Sequence, residues 1–446
     1  MRTDEEMASK GVADHVDDLK HVTTADVDED EEFSRQEQRK IIHRIDARLV
    51  VICGVGYLIS LMDRTNTSGF GFVKDWKQMA GLRALLGFLE AGFFPGTVYL
   101  LSTWYCRHEV QKRYSVFYII GVVAGSLTSI LAFGLSHMEG LQGIRGWRWI
   151  FIIEGVISIL VAFLSYIFLI DFPDRASGAW GFLNEKELAF VVRRVNRDRG
   201  DVHVEPFTLG RFLRPALDLK IWGFAMIFLY VLPNAHHPSF STSPFLTFFT
   251  SSCSTTVTYA IAYFLPIILA DGLGFGVGES LCLIAPPYAF AAIVMYTSAY
   301  VADKYRIRAP VIAVNALITL IGLPMVGFGK GNALRYTGVF LATAGANSNI
   351  PSAMAYQANN IRGQWTRALA SATLVGFGGI GGIAGSLVFR SQDAPAYIPG
   401  IWAAITSQVV LLLIAAAMSW HFWRSNKKAD RGELVIEGSE SFRYTI

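Results

Sequence analysis

Arg83 and Glu90 stand seven residues apart in the apolar stretch MAGLRALLGFLEAGFFPGTVYLL. Seven residues sweep about 700° of an α-helix, nearly two full turns, so both side chains share one face about 10 Å apart along the axis. An ionisable group at bilayer depth costs at least about 2.5–3.5 kcal/mol on insertion scales, so such groups face a cavity or a partner. The chemistry this pair suits is anion attraction by a fixed cation, Arg83, and proton loading by a carboxylate, Glu90. Gly87 lies between them on the same face and leaves room for a ligand or a close neighbour. The plainer alternative is a pair of charges that only locks helices together. The cost of retaining buried charge favours function.

Other polar groups also sit in apolar surroundings. Asp63 and Arg64 end the run that begins near residue 46, where adjacent opposite charges equally suit a wet helix end. Glu154 lies early in a later run and faces either a cavity or a basic residue near the outer surface. Asn347 and Asn349, with Gln357, offer amides to a substrate or to neighbouring helices. Tyr259, Tyr263, Tyr288 and Tyr356 suit stacking on a ring, although aromatic stripes at helical spacing more often serve packing. His236 and His237 are adjacent and point to different helix faces, so a loop or an aberrant insertion is a better reading than a metal or proton site. The series Gly376, Gly378, Gly379, Gly381, Gly382 and Gly385 contains small-xxx-small spacings, which suit close helix contact rather than a nucleotide loop. Cys53, Cys106, Cys253 and Cys282 lie far apart and suggest neither a disulfide framework nor a zinc site. No Ser/His/Asp set, HExxH, GxSxG or GKS/T motif occurs, so the expectation is a chain with no catalytic residues and no metal.

The elements that hold these residues follow from composition. Of 446 residues 52% are apolar or aromatic and 17% charged, against about 25% charged in soluble domains. Mean hydropathy is +0.38, with 31 Phe, 17 Tyr and 10 Trp. Disorder, collagen and a nucleic-acid-binding domain are poor readings, and a net charge of +3 is too small to suggest a nucleic-acid partner. A helix needs about 20 apolar residues to cross the hydrocarbon layer. Such runs fall near 46–64, 79–104, 115–137, 149–170, 281–301, 310–328, 336–356, 368–390 and 400–423, and 219–270 is apolar but interrupted by Pro233, Pro238 and Pro244.

Basic residues between the runs set orientation. Arg39, Lys40, Arg44 and Arg48 precede the first run, and Arg107, Lys112 and Arg113 follow the second. Further clusters lie at 193–214, 304–308, 362–367 and 424–431. Every second loop is basic if 219–270 crosses once, which predicts an all-α polytopic membrane protein of about ten spans with both ends cytoplasmic. The domain reading is a disordered acidic tail over 1–45, a first helical half of four spans over 46–170 and a cytoplasmic central loop over 171–218. A second half of six spans over 219–423 and a cytoplasmic tail over 424–446 complete it.

The loop YVADKYRIRAP, from Tyr300 to Pro310, resembles the acidic-basic signature loop of the major facilitator superfamily. The segments DRTN, GLRALLGFLEAGFFPG, RGWRWIFIIEG, LIAPPY, NIRGQWTRA and KADRGE resemble the fungal anion:cation symporters, with nicotinate permeases nearest among allantoate, pantothenate and biotin permeases. The likeness covers most of residues 40–446. It implies two six-helix halves, alternating access around a central cavity, and proton symport of a small carboxylate driven by the proton gradient with no cofactor. Arg83 would then hold the carboxylate or tune the proton site, Glu90 would carry the proton, and Asp63 and Arg64 would line or gate the cavity. Asn347 and Asn349 would contribute from the second half. Lys304 and Arg306 would stabilise one access state by pairing with Asp303 or a helix end. The resemblance further implies a monomer in the plasma membrane, whose partners are the substrate, the proton and lipid. A non-transporting nutrient sensor and a membrane-embedded enzyme are the other classes, although neither tail looks built for signalling and no nucleophile or metal constellation is found.

Two departures from the family stand out. The family has two more spans, with the first-half signature loop between them, where this chain passes from Asn66-Thr67-Ser68 directly to Gly69-Phe70-Gly71. Residues from about Tyr230 to Cys253 have no counterpart there. An exon lost at the first place and an intron retained at the second account for both.

Overall fold

The computed structural model describes residues 33–65, 75–228 and 254–446, apart from short gaps at 137, 144–145, 174–175, 177–181, 200–207, 273, 390–392, 394–396, 438 and 441. Helix dominates among the described residues. The first, α1 (Arg35–Ile45), starts at a capping box in which Ser34 accepts from the Glu37 N–H and the Glu37 carboxylate accepts from the Ser34 N–H. Its Ile41 and Ile45, one turn apart, are buried, and Phe33 meets Phe190 of the central segment at 5.4 Å. Within the tail expected to be disordered over 1–45, residues 35–45 are therefore helical, ordered by capping and an apolar stripe that the acidic run upstream had masked. A π-helical turn, Asp46–Val50, leads into α2 (Val51–Thr65).

The apolar stretch Trp76–Trp104 divides into α3 (Trp76–Glu90) and α4 (Phe93–Trp104). The break at Ala91–Gly92 has a local cause, since Pro95 has no N–H to offer the Ala91 carbonyl. Next come α5 (Val110–Ser136), α6 (Gly146–Phe168), α7 (Glu185–Arg199) and the short α8 (Leu209–Leu213). The second half holds α9 (Leu219–Phe228), α10 (Ser254–Ile267), α11 (Val277–Cys282) and α12 (Ala285–Tyr305). It ends with α13 (Ala309–Phe328), α14 (Asn332–Asn360), α15 (Gln364–Val388) and α16 (Ile398–Asp430).

Six helical stretches among the described residues are long and apolar enough to cross a membrane: Trp76–Trp104, Arg148–Phe168, Gly278–Tyr305, Ala309–Phe328, Gln364–Val388 and Ile398–Asp430. The runs expected at 46–64, 115–137 and 336–356 are also helical, as α2, α5 and α14. The interrupted stretch yields two helices that follow one another along α15. Trp222 of α9 meets Phe377 at 5.7 Å, and one turn further on Thr256 of α10 donates to the Gly381 carbonyl at 3.2 Å. His236, His237 and the rest of 229–253 lie outside the described residues.

Burial sorts the helices. From Ala342 to Asn360 every residue of α14 is buried, which lets this helix carry amides and hydroxyls at the centre of the bundle. By contrast α6 exposes Ile159, Leu160, Phe163 and Leu164, a surface suited to hydrocarbon rather than water. The α3 helix has no buried residue and exposes Leu85, Phe88 and Leu89. Within the first half α2 packs on α5 and α6, and within the second α14 packs on α12 and α13. The halves meet where α5 lies against α12 and α14, and where α4 lies against α15.

The glycines of α15 divide their work between two faces. A Cβ added at Gly385 would sit 2.8 Å from the Thr256 carbonyl oxygen and 3.1 Å from the Ala260 nitrogen, both backbone atoms of α10. Gly385→Ala should therefore push two helices apart at a loss of about 1–3 kcal/mol, read as a lower thermal unfolding midpoint in detergent. Gly376→Ala, which meets nothing within 4 Å, should leave the midpoint unchanged.

The basic loops gather at one end of the bundle through ion pairs. Arg44 pairs with Glu187, Arg113 with Asp46 (3.0 Å), Arg194 with Glu109, Arg107 with Asp198 (3.7 Å) and Lys220 with Glu437. These join α1, the α4–α5 turn, α7, α9 and the segment after α16.

Candidate functional site

A cavity of about 630 Å³ opens where the two halves meet, within the range of about 300–1,000 Å³ usual for small-molecule sites. Arg83, Gly87 and Glu90 of α3 form one wall. Their seven-residue spacing does what the helical repeat predicts, bringing cation and carboxylate onto a shared surface. The Ser60 hydroxyl of α2 donates to Glu90 Oε1. Aromatic rings supply much of the rest: Tyr57 from α2, Phe94 from α4, Tyr118 from α5 and Tyr259 from α10. Tyr57 is held by Phe94 at 4.9 Å and by Phe117 at 4.8 Å, so its ring is a fixed wall. Opposite, Gly376, Gly378 and Gly379 of α15 keep side chains out of the space. A cation, a carboxylate and flat apolar walls can hold a small planar anion.

The other sequence candidates are placed differently. Asp63 and Arg64 belong to the last turn of α2, and their side chains lie outside the described residues. Glu154 is buried within α6 and is not among the residues lining the cavity. Asn347 is buried and donates to the Thr343 carbonyl of its own helix at 2.9 Å. Asn349 is buried with no hydrogen-bond partner among the described residues, and the cavity wall takes Ile350 from α14 instead. Of the tyrosines, Tyr259 lines the cavity with Tyr263 stacked behind it, whereas Tyr356 packs between Phe224 and Phe422. Among the described residues no cluster of His, Cys, Asp or Glu could hold a metal.

Asp303 pairs neither with Lys304 nor with Arg306. Its partner is Arg308 at 2.8 Å, with side-chain exposures of 2% and 0%. Local backbone explains the change. Arg306 adopts the left-handed conformation (φ 57°) that ends α12, and this turn folds the chain so that Arg308 faces back toward Asp303. Lys304 and Arg306 are exposed, with Lys304 near the rings of Tyr300 and Tyr305. Asp303 also accepts from the Lys112 N–H at 3.0 Å, and Arg308 donates to Gln111 and, at 3.1 Å, to the Arg107 carbonyl. Gln111 in turn donates to Ser352 of α14 at 3.0 Å. Arg308 was legible only as one more basic residue of the signature loop. Gln111 and Ser352 carried no signal, because they meet across the two halves.

His108, in the same α4–α5 turn, is pushed down from 6.5 to about 4 by burial and by the nearby Arg308 and Arg107 cations. A histidine whose folded-state value is depressed favours the folded form while neutral. Its contribution is whole above pH 6.5 and fades as pH falls toward 4. Acidification over that window should lower the unfolding midpoint, and His108→Gln should flatten that part of the pH profile.

The chain is similar to known transporters in sequence and to a solved transporter in fold. The chain is 28% identical over 395 residues to the MFS-type transporter cnsO of Penicillium expansum, covering 87% of this chain and 70% of that protein. It is 24% identical over 361 residues to the high-affinity nicotinic acid transporter of Saccharomyces cerevisiae, covering 81% and 62% of the two chains. Its fold resembles that of the proton:xylose symporter XylE, with a TM-score of 0.55 at 14% identity over 89% of this chain and 88% of that one. The family model for the Major Facilitator Superfamily matches residues 41–386, and the chain belongs to that superfamily.

Proposed function

We propose that this transporter moves a small organic anion together with a proton, by opening its central cavity alternately to the two sides of the membrane. The observation that carries the proposal is the shared wall of Arg83 and Glu90 in a cavity between the halves. Arg83 attracts the carboxylate and Glu90 loads the proton. Tyr57, Phe94, Tyr118 and Tyr259 suit a flat ring, so a nicotinate-like monocarboxylate is the substrate proposed, in keeping with the yeast relative. Asp63 and Arg64 line or gate the cavity at the end of α2. Asp303 and Arg308 hold one access state. The driving force is the proton gradient, with no further cofactor, and the site of action is the plasma membrane. Uptake of radiolabelled nicotinate, allantoate, pantothenate and biotin in a permease-null yeast, at two external pH values, tests this. Nicotinate accumulation that rises at the lower pH is expected, and equal uptake with and without the chain overturns it.

A second reading rests on α3. It has no buried residue, as though the helices that should cover it were absent. On that reading two spans belong between Ser68 and Gly69, residues near 230–253 are an insertion, and the chain keeps the fold without transporting. The end-to-end placement of α9 and α10 along α15 fits the same view. Sequencing the transcript across both junctions separates the readings, because a message encoding the chain as written removes this one.

A further inference from the structure

The segment after α16 returns to the bundle and joins its two halves. Gly432 takes a left-handed conformation (φ 74°) past the end of α16, with Gly432 N–H donating to the Ala429 carbonyl at 3.0 Å and Glu433 N–H to the Lys428 carbonyl at 3.0 Å. This reverses the chain. Although the segment reads as a polar tail, Ile436, Phe442, Tyr444 and Thr445 are buried.

Two asparagines hold its backbone with both ends of their amides. Asn426 of α16 accepts from the Tyr444 N–H and donates to the Tyr444 carbonyl, each at 2.8 Å. Asn360, at the end of α14, accepts from the Thr445 N–H at 2.7 Å and donates to the Thr445 carbonyl at 3.0 Å. The Arg308 N–H donates to the Ile446 carbonyl at 2.9 Å. Tyr444 stacks on Phe422 with ring centroids 4.4 Å apart. All of these partners belong to the second half.

Phe442 is different. Its ring lies under Arg107 of the α4–α5 turn, 4.7 Å from the centroid, and under Arg362 of the α14–α15 turn at 5.5 Å. One cation belongs to the first half and the other to the second, and the ring face attracts both. Separating the halves at this end would force the ring to leave one of them.

We propose that residues 442–446 form an intramolecular latch that ties the two halves together at the basic end of the bundle and keeps the central cavity closed to that side. Release of Phe442 from Arg107 precedes opening there. The latch rests on the alternating-access reading, but its test needs no substrate. Gly376 lines the cavity with nothing within 4 Å of an added Cβ, so a cysteine fits there. In a background lacking the four native cysteines, Gly376→Cys is labelled with a membrane-impermeant maleimide in right-side-out and inside-out vesicles. Phe442→Ala should raise the labelling rate from the tail-bearing side about tenfold, equivalent to 1.4 kcal/mol, and Arg107→Gln should raise it in the same direction. Phe442→Trp, which restores a ring face, should return the rate to that of the parent. Unchanged labelling in both Phe442→Ala and Arg107→Gln overturns the latch while leaving the transport reading intact. A Gly376→Cys sealed from both sides in every variant overturns both.

Discussion

Glu90→Gln is expected to abolish pH-driven accumulation of the anion while exchange of anion for anion persists. The substitution keeps the shape of the side chain and an oxygen to accept from the Ser60 hydroxyl, so the cavity wall survives. What it removes is the ability to bind a proton. One pH unit is worth 1.36 kcal/mol, or about a tenfold accumulation for one proton carried per anion. The variant should therefore lose that tenfold gain for each unit of imposed pH difference and equilibrate the anion instead. Exchange needs only Arg83 and the aromatic walls, which remain. Counterflow in vesicles loaded with unlabelled nicotinate measures the retained step, and uptake against an imposed gradient measures the lost one. Uphill uptake equal to that of the parent chain would remove Glu90 from the coupling role.

Breaking the Asp303–Arg308 pair should have the largest effect on stability. Both side chains are almost fully buried, and their contacts reach the first half through Gln111, Lys112 and Arg107. Arg308→Met leaves the Asp303 carboxylate buried without its cation, at a cost of about 3–5 kcal/mol. Replacing both partners, as Asp303→Leu with Arg308→Met, removes the stranded charge and should recover most of that loss, since apolar replacement of a whole buried pair is often neutral. Lys304→Ala and Arg306→Ala act on exposed groups and should stay within about 0.5 kcal/mol of the parent. Thermal unfolding in detergent micelles ranks the variants. A double variant as unstable as Arg308→Met alone would show that the pair does not act as a unit.

Much of the bundle is written in local patterns. Apolar runs announce helices near their observed places, and the Arg83–Glu90 spacing alone puts cation and carboxylate on one helical face. Prolines mark 219–270 as interrupted, although 229–253 lies outside the described residues. The run 79–104 reads as one span, and its break between α3 and α4 emerges only in the structure, where Pro95 explains it. Other features needed contacts between distant parts of the chain. Tyr57, Tyr118 and Ser60 carry no signal in the sequence, because only the fold sets α2 and α5 beside the cavity and α3. Asn347 and Asn349 read equally as amides for a substrate or for neighbouring helices, and in the structure α14 turns Ile350 to the cavity. Asn347 bonds within its own helix instead.

What the amino-acid sequence determines by itself is therefore the class, with transport following from the resemblance of its motifs to a family: a helical membrane protein whose second apolar stretch carries its charges on one face. Those properties depend on the 3.6-residue repeat and on the cost of putting charge in hydrocarbon, both of which act locally. The partner of Asp303, the aromatic walls of the cavity and the return of residues 442–446 to the bundle belong to the tertiary structure. Each depends on which of several similar surfaces meet, and helical periodicity gives a residue its face without giving that face its neighbour.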